Sequence, residues 1–489
     1  MADPLALIRA SWPGFLLIAG TAWDSAVSRK GELAWQELVW GLDQVIKARS
    51  LQDERAEPAV WQRFLASDGE LRRLTAEVEQ AEFDLQVALS GGSAQAAATA
   101  RDTLEERRRL QGKRLRALAP HSEALLSLTS SPMVALPAFQ SRLARGEMYV
   151  GFVKCPGDRL LRLRVTAEHS EFDAVEVPHI ESYLQAELHG AGFGGDHRRL
   201  LLDAASRLIG PLPTDVDTLL ICPDRALVTV GWHLVPTRSG SLLGDDVTIA
   251  VLPAAGALAQ FRQGLAHADA PHSAARYLGV ADDGGNLAYV DYEIENIRRN
   301  YFATDGQTFP TGEGSLLLVE TGHVELLHLA CHATVAGLVI GGRSITPIDL
   351  ADLNLSAEIL LLTGCNTGAF GHDENTEFFG IVRQLLVATR AKAAIVSRHP
   401  IFDPSGPLFS DLVVAALTHH APARPWPLPD HRLPVGQAVR WARSTMRRLS
   451  KDDAHAVLPD VSVRPRSLVW WSPWFVVGDP SARIRPSGI

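Results

Sequence analysis

VELLHLACHAT (residues 324–334) and AEILLLTGCNTG (357–368) decide the fold. Each opens as a continuous apolar run of strand length, the pattern of a strand buried on both faces. Each then delivers one chemically distinctive residue, His332 or Cys365, into a stretch of small residues. A third such run is KAAIVSRHP (392–400), and ARYLGVADDGG (275–285) is a fourth that ends in an acidic, glycine-rich loop. Helical spacing fills the gaps: YEIENIRRNYF (292–302), FFGIVRQLLVAT (378–389), GPLFSDLVVAALTHH (406–420) and VGQAVRWARSTMRRL (435–449). WWSPWFVVGDP (470–480) supplies a closing strand, and the Pro-rich APARPWPLPDHRLP (421–434) reads as a surface excursion or a docking element. Buried strands alternating with helices predict an α/β domain whose mostly parallel sheet is covered by helices on both faces.

Upstream, EMYVGFVK (147–154) and LLRLRVTA (160–167) alternate like strands around the turn CPGD. TLLICPDRALVTVGWHLVP (218–236) predicts a strand, a turn and a second extended segment. GDDVTIAVLPAAGALAQFRQ (244–263) predicts a strand and then a helix. Residues 1–134 are helical in pattern. DGELRRLTAEVEQAEFDLQVAL (68–89) and AQAAATARDTLEERRRLQGKRLRALA (94–119), joined by SGGS, predict an antiparallel hairpin. The division expected is therefore a helical region, 1–134, for regulation or partner binding, and an α/β domain, 135–489, that includes its strand-rich lead-in.

Composition narrows the class. The chain has 489 residues, 46% of them hydrophobic, enough to bury a large core. Its net charge of −9 carries no clustered basic signal for general nucleic-acid binding. The four cysteines, Cys155, Cys222, Cys331 and Cys365, lack paired metal-ligand spacing and do not form a disulfide framework pattern. No apolar run is long enough to cross a bilayer, so a reduced, cytoplasmic chain is expected without membrane, metal or organic cofactor.

Parallel sheets collect functional groups beyond the carboxyl ends of their strands. If the strands ending at His332 and Cys365 are neighbours, about 5 Å apart, both side chains enter one crevice. A thiol beside an imidazole, with backbone N–H donors at hand, is the constellation for nucleophilic attack. A strand-end Cys can equally be a small core residue, and a His a structural hydrogen-bonder. By that reading Cys155, Cys222 and Cys331 are structural.

In their order along the chain these segments resemble the CHAT domains, caspase-like cysteine peptidases of clan CD that also include separase. LLHLACHAT and LLLTGCNTG are similar to the family's His and Cys motifs, and LLICPDRALVTVGWHLVP, YLGVADDGG, YEIENI, LLVATRAKAAIVSRHPIFD and WFVVGDP to its other segments, over roughly residues 135–480. The resemblance implies a dyad in which Cys365 attacks a peptide carbonyl and His332 is general base and then general acid. It implies an oxyanion hole made by the backbone N–H groups of Cys365 and Ala333. Thr363 stands where several peptidases that cut after basic residues carry an acid, which removes that indication here. Arg398 and His399 replace apolar residues of the family pattern on the strand that lines the cleft, beside Ser397. Arg398 either reads an acidic or polar substrate residue or faces solvent, the plainer reading. Asp282 and Asp283 either receive a basic side chain or serve their loop. GHDENTEFFG (371–380) is a candidate activation loop. The expectation is a partner-activated endopeptidase with a specific protein substrate, in a setting such as bacterial defence or programmed cell death. A non-catalytic scaffold on the same fold and a cysteine acyltransferase are the rival readings.

Overall fold

The computed structural model describes residues 36–37, 39–41, 43–44, 69–90, 94–118, 134–155, 158–180, 182, 196–224, 227–228, 230–263, 276–282, 287–311, 322–334, 337–340, 343–345, 355–364, 382, 385–386, 388–398, 401–420, 424–458 and 465–485. The chain divides into two compact units: Met1–Thr237 with Leu252–Ala259 and Asn375–Phe378, and the remainder.

In the first unit, helices α1 (Gly69–Ser90) and α2 (Ala94–Leu118) bury Leu71, Leu74, Val78, Ala81 and Leu85 of α1 and Leu104 of α2. Cross-links fix the direction. Arg114 pairs with Glu70, Gln111 donates to Thr75, and Arg107 pairs with Glu77. Partners descend along α2 as they ascend along α1, so the hairpin is antiparallel as its pattern predicts. Four strands follow: β1 (Glu147–Lys154), β2 (Arg159–Val165), β3 (Ser170–Glu176) and β4 (Thr218–Cys222). Their order is β3-β2-β1-β4, antiparallel except for the parallel β1–β4 pair. Between β3 and β4 runs α3 (Asp196–Ile209). The second extended segment expected after β4 is instead a 3-10 turn at Trp232–Leu234, where Trp232 stacks on Phe152.

The second unit holds β5 (Thr248–Val251), β6 (Tyr277–Ala281), β7 (Gly306–Phe309), β8 (His323–Ala330), β12 (Ser356–Leu362), β13 (Ala393–Ser397) and β14 (Trp474–Gly478) in the order β5-β14-β13-β12-β8-β6-β7. All neighbouring pairs are parallel except β13–β14. Apart from the sheet-edge β7, every residue of these strands is buried, as their apolar runs require. A separate small sheet, β9 (His332–Thr334), β10 (Gly337–Ile340) and β11 (Arg343–Ile345), is antiparallel. Helix α4 (Ala255–Gln263) follows β5 in the chain, its residues up to Ala259 belonging to the first unit. Helices α5 (Val290–Tyr301), α6 (Ser405–Thr418) and α7 (Val435–Met446) pack side by side, α5 on β6 and β8 and α7 on β14 and β5. Phe409 of α6 stacks on Trp474 of β14 at 4.2 Å, and the indole is wholly buried. Burying aromatic rings of this size dominates the energetics of such a layer. The fold is thus α/β with a mostly parallel sheet. The Pro-rich segment is no simple excursion: from 424 onward it buries Trp426, and Arg424 pairs with the fully buried Asp411.

Candidate active site

Register places the strand tips. Leu362 of β12 stands opposite Leu329 of β8, and Ala281 of β6 opposite Ala330. The ladder continues past the strand ends, with the Thr363 N–H donating to the Leu329 carbonyl (3.1 Å) and the Asp282 N–H to the Ala330 carbonyl (3.0 Å). His332 lies three residues beyond Leu329, and Cys365 three beyond Leu362. Cys365 itself is outside the described residues, as are Asp283, His399 and the loop 371–380.

His332 is half-buried. It ends no strand, contrary to the expectation, but opens β9, where it stands opposite Val339 of β10. Ala333 continues the same ribbon, opposite Leu338. Cys331, between β8 and His332, is buried, and burial with the nearby Asp282 charge pushes its thiol up to about 12. Burial likewise raises Cys155 to about 12, and Cys222 has no exposed surface. These three thiols are poor nucleophiles at neutral pH.

The cleft candidates have other surroundings. Thr363 is 3% exposed and Ser397 0%. Ser397 donates from Oγ to the Gly364 carbonyl at 2.8 Å, which holds the backbone immediately before residue 365. Arg398 does not face solvent. It is 9% exposed, with its guanidinium 5.9 Å from the centre of the Phe475 ring and its N–H donated to the Pro473 carbonyl. Asp282 is buried at the β6 tip rather than displayed in a turn.

Beneath the tips lies a polar group that reading the sequence missed. His328 has no exposed surface. Its Nε2 is 3.0 Å from Glu293 Oε1 and 3.1 Å from Thr363 Oγ1, and its Nδ1 is 3.0 Å from the Tyr277 hydroxyl. A carboxylate oxygen accepts, so the one Nε2 proton is shared between Glu293 Oε1 and Thr363 Oγ1, while Nδ1 faces the Tyr277 hydroxyl, which also reaches the Ile294 carbonyl at 3.3 Å. Ser410 of α6 also donates to Glu293 Oε1. The fit depends on Gly406, because a Cβ there would come within 2.7 Å of Glu293 Oε2. Two signals foretold the group. Glu293 shares one helical face with Val290, Ile294 and Ile297, all buried, and His328 interrupts an otherwise apolar part of β8. Buried polar side chains need partners, and these two satisfy each other.

One more carboxylate borders the site. Asp403, between β13 and α6, accepts the Ala288 N–H at 2.8 Å and so ties the segment that follows β6 to the start of α6. Burial raises its pKa above the usual carboxylate range, against the pull of that N–H and of the nearby His332. Among the described residues no group of three or more His, Cys, Asp or Glu is placed to hold a metal ion, and no helix is long and apolar enough to cross a membrane.

Comparison with known proteins adds the family. A search of curated proteins found no match. Among solved structures, separase of Saccharomyces cerevisiae, in its complex with securin, is similar over 91% of this chain at 11% identity and a TM-score of 0.49. The chain spans 40% of the length of that separase. The Arg-specific cysteine proteinase gingipain R of Porphyromonas gingivalis is similar over 63% of this chain and 75% of its own, at 13% identity and a TM-score of 0.38. The CHAT domain model matches residues 198–479, more than half of the chain. With that match over more than half of its length, the chain belongs to the CHAT domain family.

Proposed function

We propose that the protein is a cysteine endopeptidase in which Cys365 attacks the carbonyl of a peptide bond and His332 takes, then returns, the proton. The register that sets both residues three positions past the Leu329–Leu362 pair carries this reading. Attack forms an S–C bond and moves the carbonyl electrons onto oxygen. The N–H groups of Cys365 and Ala333 receive that oxyanion. Collapse expels the amine, protonated by His332, and water then releases the acyl group from the thiol. The substrate is a specific protein, and the α1–α2 hairpin, with its charged outer face, is the surface through which a partner switches the enzyme on. Bacterial defence or cell death is the setting in which such a switch is useful.

The test is co-expression with the products of neighbouring genes, wild type against Cys365→Ala. Cleavage of one of them by the wild type alone is the expected result and identifies the substrate. A peptidyl acyloxymethyl ketone should alkylate Cys365 and spare Cys155, Cys222 and Cys331. Absence of Cys365 modification with every neighbour present would leave the scaffold reading standing instead.

A further inference from the structure

We infer that Thr363 and Ser397 are positioning residues for the nucleophile, forming with His328 and Glu293 a buried clamp that holds the β12 tip from both neighbouring strands. This inference rests on Cys365 being the reactive thiol, and it deepens that reading by naming what fixes the thiol in place.

Two side chains hold consecutive residues. Thr363 is held through its hydroxyl by His328 of β8 at 3.1 Å. Gly364 is held through its carbonyl by Ser397 of β13 at 2.8 Å. β8 and β13 flank β12 on opposite sides. The two bonds therefore oppose each other across the strand, and neither can shorten its reach by tilting the tip. Residue 365 follows directly.

The His328 side of the clamp is itself fixed. Its ring is held at both nitrogens, by Glu293 from α5 and Tyr277 from β6, and Glu293 is held again by Ser410 from α6. His328, Glu293, Thr363, Ser397 and Ser410 are all 3% exposed or less. Water cannot substitute for a lost partner at such sites, so the geometry is kept or forfeited as a unit. His328 also sits four residues before His332 on the same chain segment. One imidazole thereby links β8, the strand that leads to the base, to Thr363 at the tip of β12, the strand that leads to the nucleophile. Attack distances near 3–3.5 Å are demanding, and a misplacement of about 1 Å can cost roughly a hundredfold in rate. A clamp at this point acts on that distance and not on substrate binding.

Thr363→Val keeps the shape and removes the hydroxyl; Thr363→Ser restores it; Ser397→Ala removes the other bond. Each full-length variant is compared with wild type by its thermal midpoint and by two probes of Cys365, read by peptide mass spectrometry with Cys365→Ala as blank. Iodoacetamide reports the thiol without any substrate site. A peptidyl acyloxymethyl ketone gives kinact and KI separately. The expected result for Thr363→Val is a fall in kinact of about tenfold or more, KI within about twofold, and a slower iodoacetamide reaction, with Thr363→Ser recovering most of the rate. Ser397→Ala should move kinact the same way. Wild-type rates with both probes in Thr363→Val and Ser397→Ala would overturn the clamp. A loss that Thr363→Ser does not recover, or that tracks the thermal midpoint, would also overturn it. Iodoacetamide reaction without ketone reaction in wild type, with the products of the neighbouring genes present, would sink the peptidase reading, and the clamp would then stand or fall on the iodoacetamide rates.

Discussion

The α1–α2 hairpin and the α5–β8 layer both rely on glutamates, but at opposite extremes of burial. Glu77 of α1, with a side chain 29% exposed, bridges Arg73 and Arg107 in partly solvated surroundings. Glu293 of α5, with a side chain 2% exposed, meets His328 and Ser410 where water does not reach. The same functional group makes replaceable contacts in one place and irreplaceable ones in the other. Solvent can take over from either arginine, whereas nothing takes over from a neighbour in the core. Polar contacts in the hairpin thus tune a surface, and those under the strand tips define a geometry.

Three substitutions grade that contrast. Glu293→Ala should have the largest effect. It strips an acceptor from two buried donors and opens a void, a cost of about 3–5 kcal/mol, to be measured by urea unfolding. A cost below about 1 kcal/mol would break the distinction between the regions. Glu295→Gln, two residues along the same helix, is the intermediate case. The hydrogen bond from Arg298, aided by Arg299, brings Glu295 down to about 2. A depressed carboxylate contributes stability at pH values above its unfolded pKa and loses that contribution as pH falls through its folded value. Wild type should therefore lose a little stability between the ordinary carboxylate range and about 2 that Glu295→Gln does not lose. The gap at neutral pH should be under about 1 kcal/mol, because the pair is partly solvated. Thermal unfolding across that pH range measures it. Glu77→Ala is the smallest, about 0.3–1 kcal/mol and shrinking in 1 M salt. A larger, salt-independent cost would place the hairpin bridge with the core.

The comparison also explains what could be read from the chain beforehand. β8, β12 and β13 were legible because a strand buried on both faces leaves a mostly apolar run, as in ILLL (359–362) and AAIV (393–396). The hairpin was legible from its spacing and its Gly-Gly turn. The β9–β11 ribbon was not, since its three short strands run through HATVAGLVIGGRSI with no alternation long enough to register. For Thr363 and Ser397, proximity in sequence to a candidate nucleophile or cleft strand suggests a cleft, whereas their hydroxyls bond inward. His328 and Glu293 carry their meaning in partnership. Each alone looks like an ordinary interruption of an apolar pattern, and only the packing of α5 on β8 brings them to 3.0 Å.

The position of β14 has a consequence for biosynthesis. Residues 474–478 lie between β13 and β5, pairing with both. A ribosome must therefore have made β14 before this sheet can close, and until then β5 and β13 each wait with an open edge. Local hairpins and helices can form as they emerge, but this insertion joins segments more than two hundred residues apart in order of synthesis and belongs to the slow class of non-local pairings. The strand that carries Ser397 therefore gains this neighbour only once Trp474–Gly478 have been made. Synthesis order alone thus delays closure of the sheet beside the β12 and β13 tips until β14 has been made.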